Sequence, residues 1–174
     1  LFDKVTKIIL QQIDTLSQIA SEFSRFARMP GLKLAKVNLE VVCGEIKNLF
    51  GEEKIDVCIV IKTENVEVEA DDNNLRRMLI NLIRNSIQAS ATKVVLELSD
   101  YDNIISISVS DNGNGIPIDI QGMIFNPHFS TKKTGMGLGL KLAKRFMESI
   151  GGSITLGKSD ELGTEFIMKF RTYD

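Results

Sequence analysis

Residues 111–140, DNGNGIPIDIQGMIFNPHFSTKKTGMGLGL, hold six of the chain's thirteen glycines, interleaved with Asp, Asn, Ser, Thr and Lys. Glycines this dense cannot build a packed core, but they let backbone amides approach a phosphate chain closely. A nucleotide is the ligand such a segment suggests. At its start, IISISVSD (residues 104–111) alternates strictly: Ile105, Ile107 and Val109 fall on one face, Ser106, Ser108 and Ser110 on the other, and Asp111 has the parity of the isoleucines. A carboxylate directed at an apolar interior is costly until a donor meets it. An adenine amino group is such a donor, whereas guanine presents an acceptor at the same place. Asp and Gly also occur together in plain turns for backbone reasons alone.

The second cluster lies on a helix. Asn81, Asn85 and Gln88 fall within about 60° of one another on a helical wheel, with Asn74, Arg77 and Arg84 beside them and Leu75, Met78, Leu79, Leu82 and Ile83 in other directions. Asn is a poor helix former, so two mid-helix asparagines one turn apart need a reason beyond solvation. An amide oxygen is a hard ligand suited to Mg²⁺, a metal that keeps several waters and binds phosphates at the same time. The third cluster is GMGLGL, comprising Gly135, Met136, Gly137, Leu138, Gly139 and Leu140. It leads into a helix, and its glycines sit at or near the end where free N–H groups and the helix dipole favour an anion. No GKS or GKT follows it and no strand precedes it, which excludes a Walker A loop and a dinucleotide fingerprint.

The elements that position these residues are legible from periodicity and caps. Phe2, Val5, Ile9, Leu16, Ile19, Phe23 and Phe26 form a heptad seam broken only at Gln12, widened by Ile13, Ala20 and Ala27 and ended by Met29, Pro30 and Gly31. Residues 2–29 therefore read as a bundle helix. Beyond it the pattern predicts a helix over 41–50, strands over 57–62 and 66–70, a helix from the Asp71–Asp72 cap to about residue 89, and a hairpin of 93–99 and 104–110 about a 100–103 turn. A helix over 138–150, ended by Gly151 and Gly152, precedes a strand pair, 153–158 and 164–171, about a 160–163 turn. Helices and antiparallel strands in this order make an α+β chain, a two-layer α/β sandwich. The expected division is residues 1–31 for the bundle helix and 32–174 for the sandwich.

The 174 residues suffice for one domain and an appended element. With 21 basic and 23 acidic residues the net charge is −2, with no basic excess that would point to nucleic acid. Cys43 and Cys58 sit in separate apolar stretches without CxxC spacing, so neither a disulfide framework nor a zinc site is expected, but two buried thiols in a reducing cytoplasm. No apolar run approaches the ~20 residues that span a bilayer. The chain opens on Leu1 rather than Met, so the expectation is a piece of a longer protein, one whose membrane anchoring this piece does not reveal.

With Asp111, Asn85 and the Gly137 region in this order, the chain resembles the ATP-binding catalytic domain of bacterial sensor histidine kinases, within the gyrase, Hsp90, histidine kinase and MutL superfamily. INLIRNSIQAS is similar to the N box, DNGNGIP to the G1 box, IFNPHFSTK to the F box and GMGLGL to the G2 box. The match covers residues 37–170. It implies a Bergerat-type sandwich, a mixed sheet covered by helices on one face. In it Asp111 binds the adenine amino group, Asn85 holds Mg²⁺, and Asn81, one turn back, lies toward the phosphate end with Asn85 in the catalytic pair. Gly113, Gly115, Ile116, Phe125 and Thr164 would line the nucleotide. Backbone from Gly135 through Met136, Gly137, Leu138 and Gly139 to Leu140 would meet the phosphates, while Ser130, Thr131 and Lys132 or Lys133 reach in from a lid over 123–134.

SEFSRFARMP, within residues 2–29, is similar to the second helix of the dimerisation and phosphoacceptor hairpin of the NtrB and NtrY type. The chain departs from the family pattern at Ser86, where Ala is usual, at Gln88, where Glu is common, and at His128, where the lid usually carries an aromatic. His128 is the chain's single histidine, and no segment matches the phosphoacceptor helix. The resemblance thus implies an autokinase that binds MgATP and donates the γ-phosphoryl group to a histidine outside this chain. A response-regulator receiver domain would take the group next, and the parent would be a homodimer. A nucleotide-gated interaction module without turnover, a protein serine kinase and a clamp ATPase are the alternatives; the last needs a glutamate in the N-box helix where this chain has Asn81.

Overall fold

The structure is a computed structural model that describes residues 32–126 and 139–171, together with Thr6 and Ile13. The expected bundle helix and the boundary after residue 31 otherwise lie outside the described residues. The elements run β1 (Ala35–Asn38), α1 (Leu39–Leu49), β2 (Asp56–Ile61), β3 (Glu67–Ala70), α2 (Asp72–Gln88), β4 (Lys93–Tyr101), β5 (Ile104–Asp111), α3 (Ile118–Gln121), α4 (Gly139–Ser149), β6 (Ser153–Asp160) and β7 (Gly163–Arg171). Five strands form one mixed sheet in the order β2-β4-β5-β7-β6, with β2 parallel to β4 and the other pairs antiparallel. A separate antiparallel ribbon joins β1 to β3.

One face of the large sheet supplies the core: Val94, Leu96, Leu98, Ile105, Ile107, Val109, Phe166, Met168 and Phe170 are buried together with Leu39, Val42, Cys43 and Ile46 of α1, Leu75, Leu79, Leu82 and Ile83 of α2, and Ala143, Phe146 and Met147 of α4. Each large aliphatic side chain so buried contributes about 1.5–3 kcal/mol. This is the expected two-layer α/β sandwich. The elements expected beyond residue 31 are all present, with edges moved by local chemistry. Helix α1 begins two residues early because Asn38 caps it, its Oδ1 accepting from Val41 N at 3.1 Å. The β4–β5 turn tightens to Asp102 and Asn103, both left-handed (φ 48° and 60°), as a two-residue hairpin requires.

Helix α2 is the element that carries the site. Its N-cap is Asp71, whose Oδ1 accepts from Asn74 N while Oδ2 accepts from Lys33 N, both at 3.0 Å. Asp72 is not a cap; it lies in the first turn and pairs with Arg76 at 2.9 Å. The helix ends before Ser90, which is left-handed at φ 65°. The two thiols part company. Cys43 is buried, and burial pushes its pKa up to about 12. Cys58, expected to be buried too, is only half-buried: it lies on the edge strand β2 opposite Val95, on the face turned away from the helices. Short β1 and the single-turn α3 are elements that periodicity does not predict.

Candidate nucleotide site

The alternation of β5 persists to its last residue. Ile105 and Ile107 are fully buried, Val109 nearly so, and Asp111 continues their face half-buried. The donors its charge needs come from the protein. Oδ1 accepts from the backbone N–H of Gly113 at 2.9 Å and of Thr164 at 3.2 Å. Oδ2 accepts from the Ser86 hydroxyl at 2.6 Å. Ser86 is 3% exposed on α2, and its Oγ also lies 3.2 Å from Leu82 O. One carboxylate oxygen is thus committed to two amides and the other to a single hydroxyl. Since an ionised carboxylate offers about four lone-pair positions, Oδ2 keeps acceptor capacity for a further donor.

The glycines after Asp111 serve protein contacts first. A Cβ on Gly113 would lie 2.8 Å from Ala89 O, and one on Gly115, which is left-handed at φ 68°, 1.9 Å from Asp160 O. Asn112 clamps the same turn to the start of β4, its Oδ1 accepting from Thr92 N and Lys93 N and its Nδ2 donating to Thr92 Oγ1, all at 2.9 Å. Asn114 N donates to Ala89 O at 2.9 Å. Close approach to phosphate, the first reason to notice these glycines, is therefore not what crowds Gly113 and Gly115. They let the turn pack between α2 and the β6–β7 hairpin. Gly163, which the sequence reading passed over, belongs with them: its φ is 137° and a Cβ there would meet Asp111 O at 1.8 Å.

The amide stripe on α2 is half-buried at Asn81 and Asn85 and exposed at Gln88, while Leu75, Met78, Leu79, Leu82 and Ile83 are buried as predicted. Asn81 lies against the start of α4: a Cβ on Gly139 would come within 2.6 Å of both amide atoms of Asn81. The Asn81 Nδ2 is buried and has no hydrogen-bond partner among the described residues. A glycine at the first turn of an eleven-residue helix thus makes room for an amide donor beside that helix's N-terminal N–H groups. Leu140 packs half-buried on the core.

Ile116 is half-buried against the core, and Thr164 is buried at 5% exposure. The Phe125 ring sits edge-on to Phe166 (6.3 Å, 85°), with Lys144 Nζ 5.8 Å from its centre, so it closes the core beneath α4. Ser130, Thr131, Lys132, Lys133, Gly135, Met136, Gly137, Leu138 and His128 lie outside the described residues. The structure brings Asp111, Gly113, Gly115, Ile116 and Thr164 together at one end and Asn81 and Gly139 at the other, with α2 running between. Ser86 and Asn112 are the polar contacts that sequence reasoning missed as site residues. Ser86 had a signal, because it continues the buried Leu75–Leu79–Leu82 stripe, where a hydroxyl needs a partner.

Comparison with known proteins agrees with this fold. Residues 70–174 match the family described as "Histidine kinase-, DNA gyrase B-, and HSP90-like ATPase". A putative NtrY-like sensor histidine kinase of Rickettsia conorii is 29% identical over 97% of this chain and 29% of its own length. The solved catalytic domain of the histidine kinase ThkA is 32% identical with a TM-score of 0.71, covering 80% of this chain and 95% of that one. ThkA in complex with the response regulator TrrA gives 28% and 0.75, over 94% of this chain and 49% of that one. The chain spans between 28% and 37% of the length of the curated relatives it matches. With the family match covering more than half its residues and its helix-backed mixed sheet shared with a histidine kinase catalytic domain, this chain belongs to the histidine kinase-, DNA gyrase B- and HSP90-like ATPases.

Proposed function

We propose that this chain binds MgATP and donates the γ-phosphoryl group to a histidine on a dimerisation helix of its parent protein. The observation that carries the reading is the Asp111 carboxylate, fixed by Gly113 N, Thr164 N and Ser86 Oγ with acceptor capacity left on Oδ2. Such a group accepts from an exocyclic amine and repels the carbonyl of guanine or hypoxanthine. The purine would lie against Ile116, and the phosphates would run along α2 toward Asn81 and the first turn of α4.

The residues fit a metal as well. Among the described residues no group of three His, Cys, Asp or Glu could hold one, so the ion would rely on the phosphates and water with the Asn85 amide oxygen, a donor set that suits Mg²⁺. When bound, the metal supplies charge neutralisation to the transferring phosphoryl group. The Asn81 amide would donate to a phosphate oxygen, since its Nδ2 is already out of water and lacks an acceptor among the described residues. Transfer then depends mainly on positioning. Residues 130–133 and 135–138 would complete the phosphate end.

We read the parent as a homodimer that passes the phosphoryl group to the receiver domain of a partner response regulator, and this chain as a cytoplasmic part of that parent. ThkA, solved in complex with a response regulator, supports the transfer to a receiver domain. No described helix is long and apolar enough to cross a membrane. The test is to supply the chain with the histidine-bearing hairpin and labelled ATP. Acid-labile phosphate on histidine is the expected product, and acid-stable phosphoserine would refute the reading.

A further inference from the structure

Strand β6 carries an irregularity whose effect is to place one serine. Its ladder with β7 runs Ile154↔Met168 and Leu156↔Phe166, then shifts register, resuming at Ser159↔Thr164 and Asp160↔Gly163. An unshifted ladder continued from Leu156↔Phe166 would bring Lys158 opposite Thr164. The extra residue puts Ser159 there instead, the kind of re-aiming that bulges produce beside functional sites. Ser159 Oγ accepts from Ile116 N–H at 2.9 Å and lies 3.1 Å from Thr164 Oγ1. Gln121 fastens the same backbone from its other side, its Nε2 donating to Ile116 O at 2.7 Å and to Ser159 O at 3.2 Å. Thr164 N in turn donates to Asp111 Oδ1.

We infer that Ser159 is a positioning residue of the nucleotide site: through Ile116 N–H and Thr164 Oγ1 it holds the wall residue Ile116 at a fixed distance from the Asp111 carboxylate. This rests on the ATP reading above. The two groups that would meet opposite sides of a purine lie on one turn of chain, but Gly115 between them is left-handed and without a side chain, so that turn alone does not fix their separation. Gln121 ties Ile116 to the β6 backbone, and the Ser159 hydroxyl adds the link that carries this constraint on to Thr164 and so to Asp111. It suits the task because a hydroxyl can accept from Ile116 N–H and still share a hydrogen bond with Thr164 Oγ1 in either direction, which neither the Lys158 ammonium nor an aliphatic side chain can do.

The test compares Ser159→Ala with Ser159→Thr, which keeps the hydroxyl and suits a strand. Affinity for a non-hydrolysable ATP analogue with Mg²⁺, measured by calorimetry on the full chain, should fall about fivefold in Ser159→Ala and return to within about twofold of the parent in Ser159→Thr. Exchange of the Ile116 amide without nucleotide should quicken by about tenfold or more in Ser159→Ala only. Equal affinities in parent and Ser159→Ala, or equal weakening in both variants, would overturn the assignment, the second result pointing to packing. If the parent chain binds no ATP analogue, the ATP reading fails first. The assignment to the nucleotide site falls with it, and Ile116 exchange then reports only whether the hydroxyl fixes that backbone.

Discussion

The two ends of the site are built in opposite ways. At Asp111 the carboxylate meets three protein donors, one from α2, one from its own turn and one from β7. At Asn81 the amide nitrogen is buried yet has no acceptor among the described residues, and the room it occupies exists because residue 139 has no side chain. Leaving a buried N–H unmet costs about 1–3 kcal/mol. The proposed base end is therefore pre-organised by redundancy, and losing one support should matter little. At the proposed phosphate end each contact among the described residues rests on a single group, and losing one should matter more.

The largest effect should come from the acceptor itself. In Asp111→Asn the amide oxygen still accepts from Gly113 N and Thr164 N, and the new NH₂ faces the Ser86 hydroxyl, which accepts as well as it donates. The fold should survive within about 1 kcal/mol in denaturant unfolding. Toward an exocyclic amine, however, a donor now stands where an acceptor was, and affinity for ATP in calorimetry should fall at least about 100-fold. Retained affinity would place the base elsewhere and remove one side of the comparison.

Next in size is Gly139→Ala. The added methyl must displace the Asn81 amide, whose atoms would lie 2.6 Å away. Because the clash is with a side chain rather than backbone, stability should change by no more than about 1 kcal/mol, while ATP affinity falls about 30-fold. Combining it with Asn81→Ala removes the clash, so the two losses should be strongly less than additive. Additive losses would mean that Gly139 serves the helix and not the amide. Asn85→Ala should follow, with the Mg²⁺-dependent part of the affinity reduced about tenfold and the Mg²⁺-independent part unchanged. An unaltered Mg²⁺ titration would refute the metal assignment.

Much of this arrangement was legible in the sequence because it rests on local rules. The amphipathic period of α2, its Asp71 cap and the parity that carries Asp111 inward each depend on residues within one element, and each is as the pattern predicts. What was hidden depends on register between elements. Ser86 and Asp111 are 25 residues apart, and their contact exists only because α2 packs across the end of β5. Gly163 looks like an ordinary turn glycine until β7 lies against β5 and its missing side chain admits Asp111 O. The re-aimed Ser159 follows from a register shift that no alternation pattern in β6 announces. Cys58 was misjudged for the same reason, since an apolar strand does not disclose that it lies at the sheet's edge.

The smallest effect, and the sharpest test of redundancy, is Ser86→Ala. The variant deletes the one donor on Asp111 Oδ2 and leaves both amides on Oδ1, so the carboxylate keeps its place and its charge keeps two partners. Leu82 O loses only a second, 3.2 Å contact from a hydroxyl. Alanine is also the better helix former by a few tenths of a kcal/mol, which partly offsets the lost hydrogen bond of about 1 kcal/mol. The melting temperature should therefore move by only a few degrees. ATP affinity should fall about threefold, with no gain for GTP, because the acceptor that discriminates is still in place. A loss approaching that of Asp111→Asn would show that the hydroxyl, not the pair of amides, orients the carboxylate, and the base end would then be as singly supported as the phosphate end.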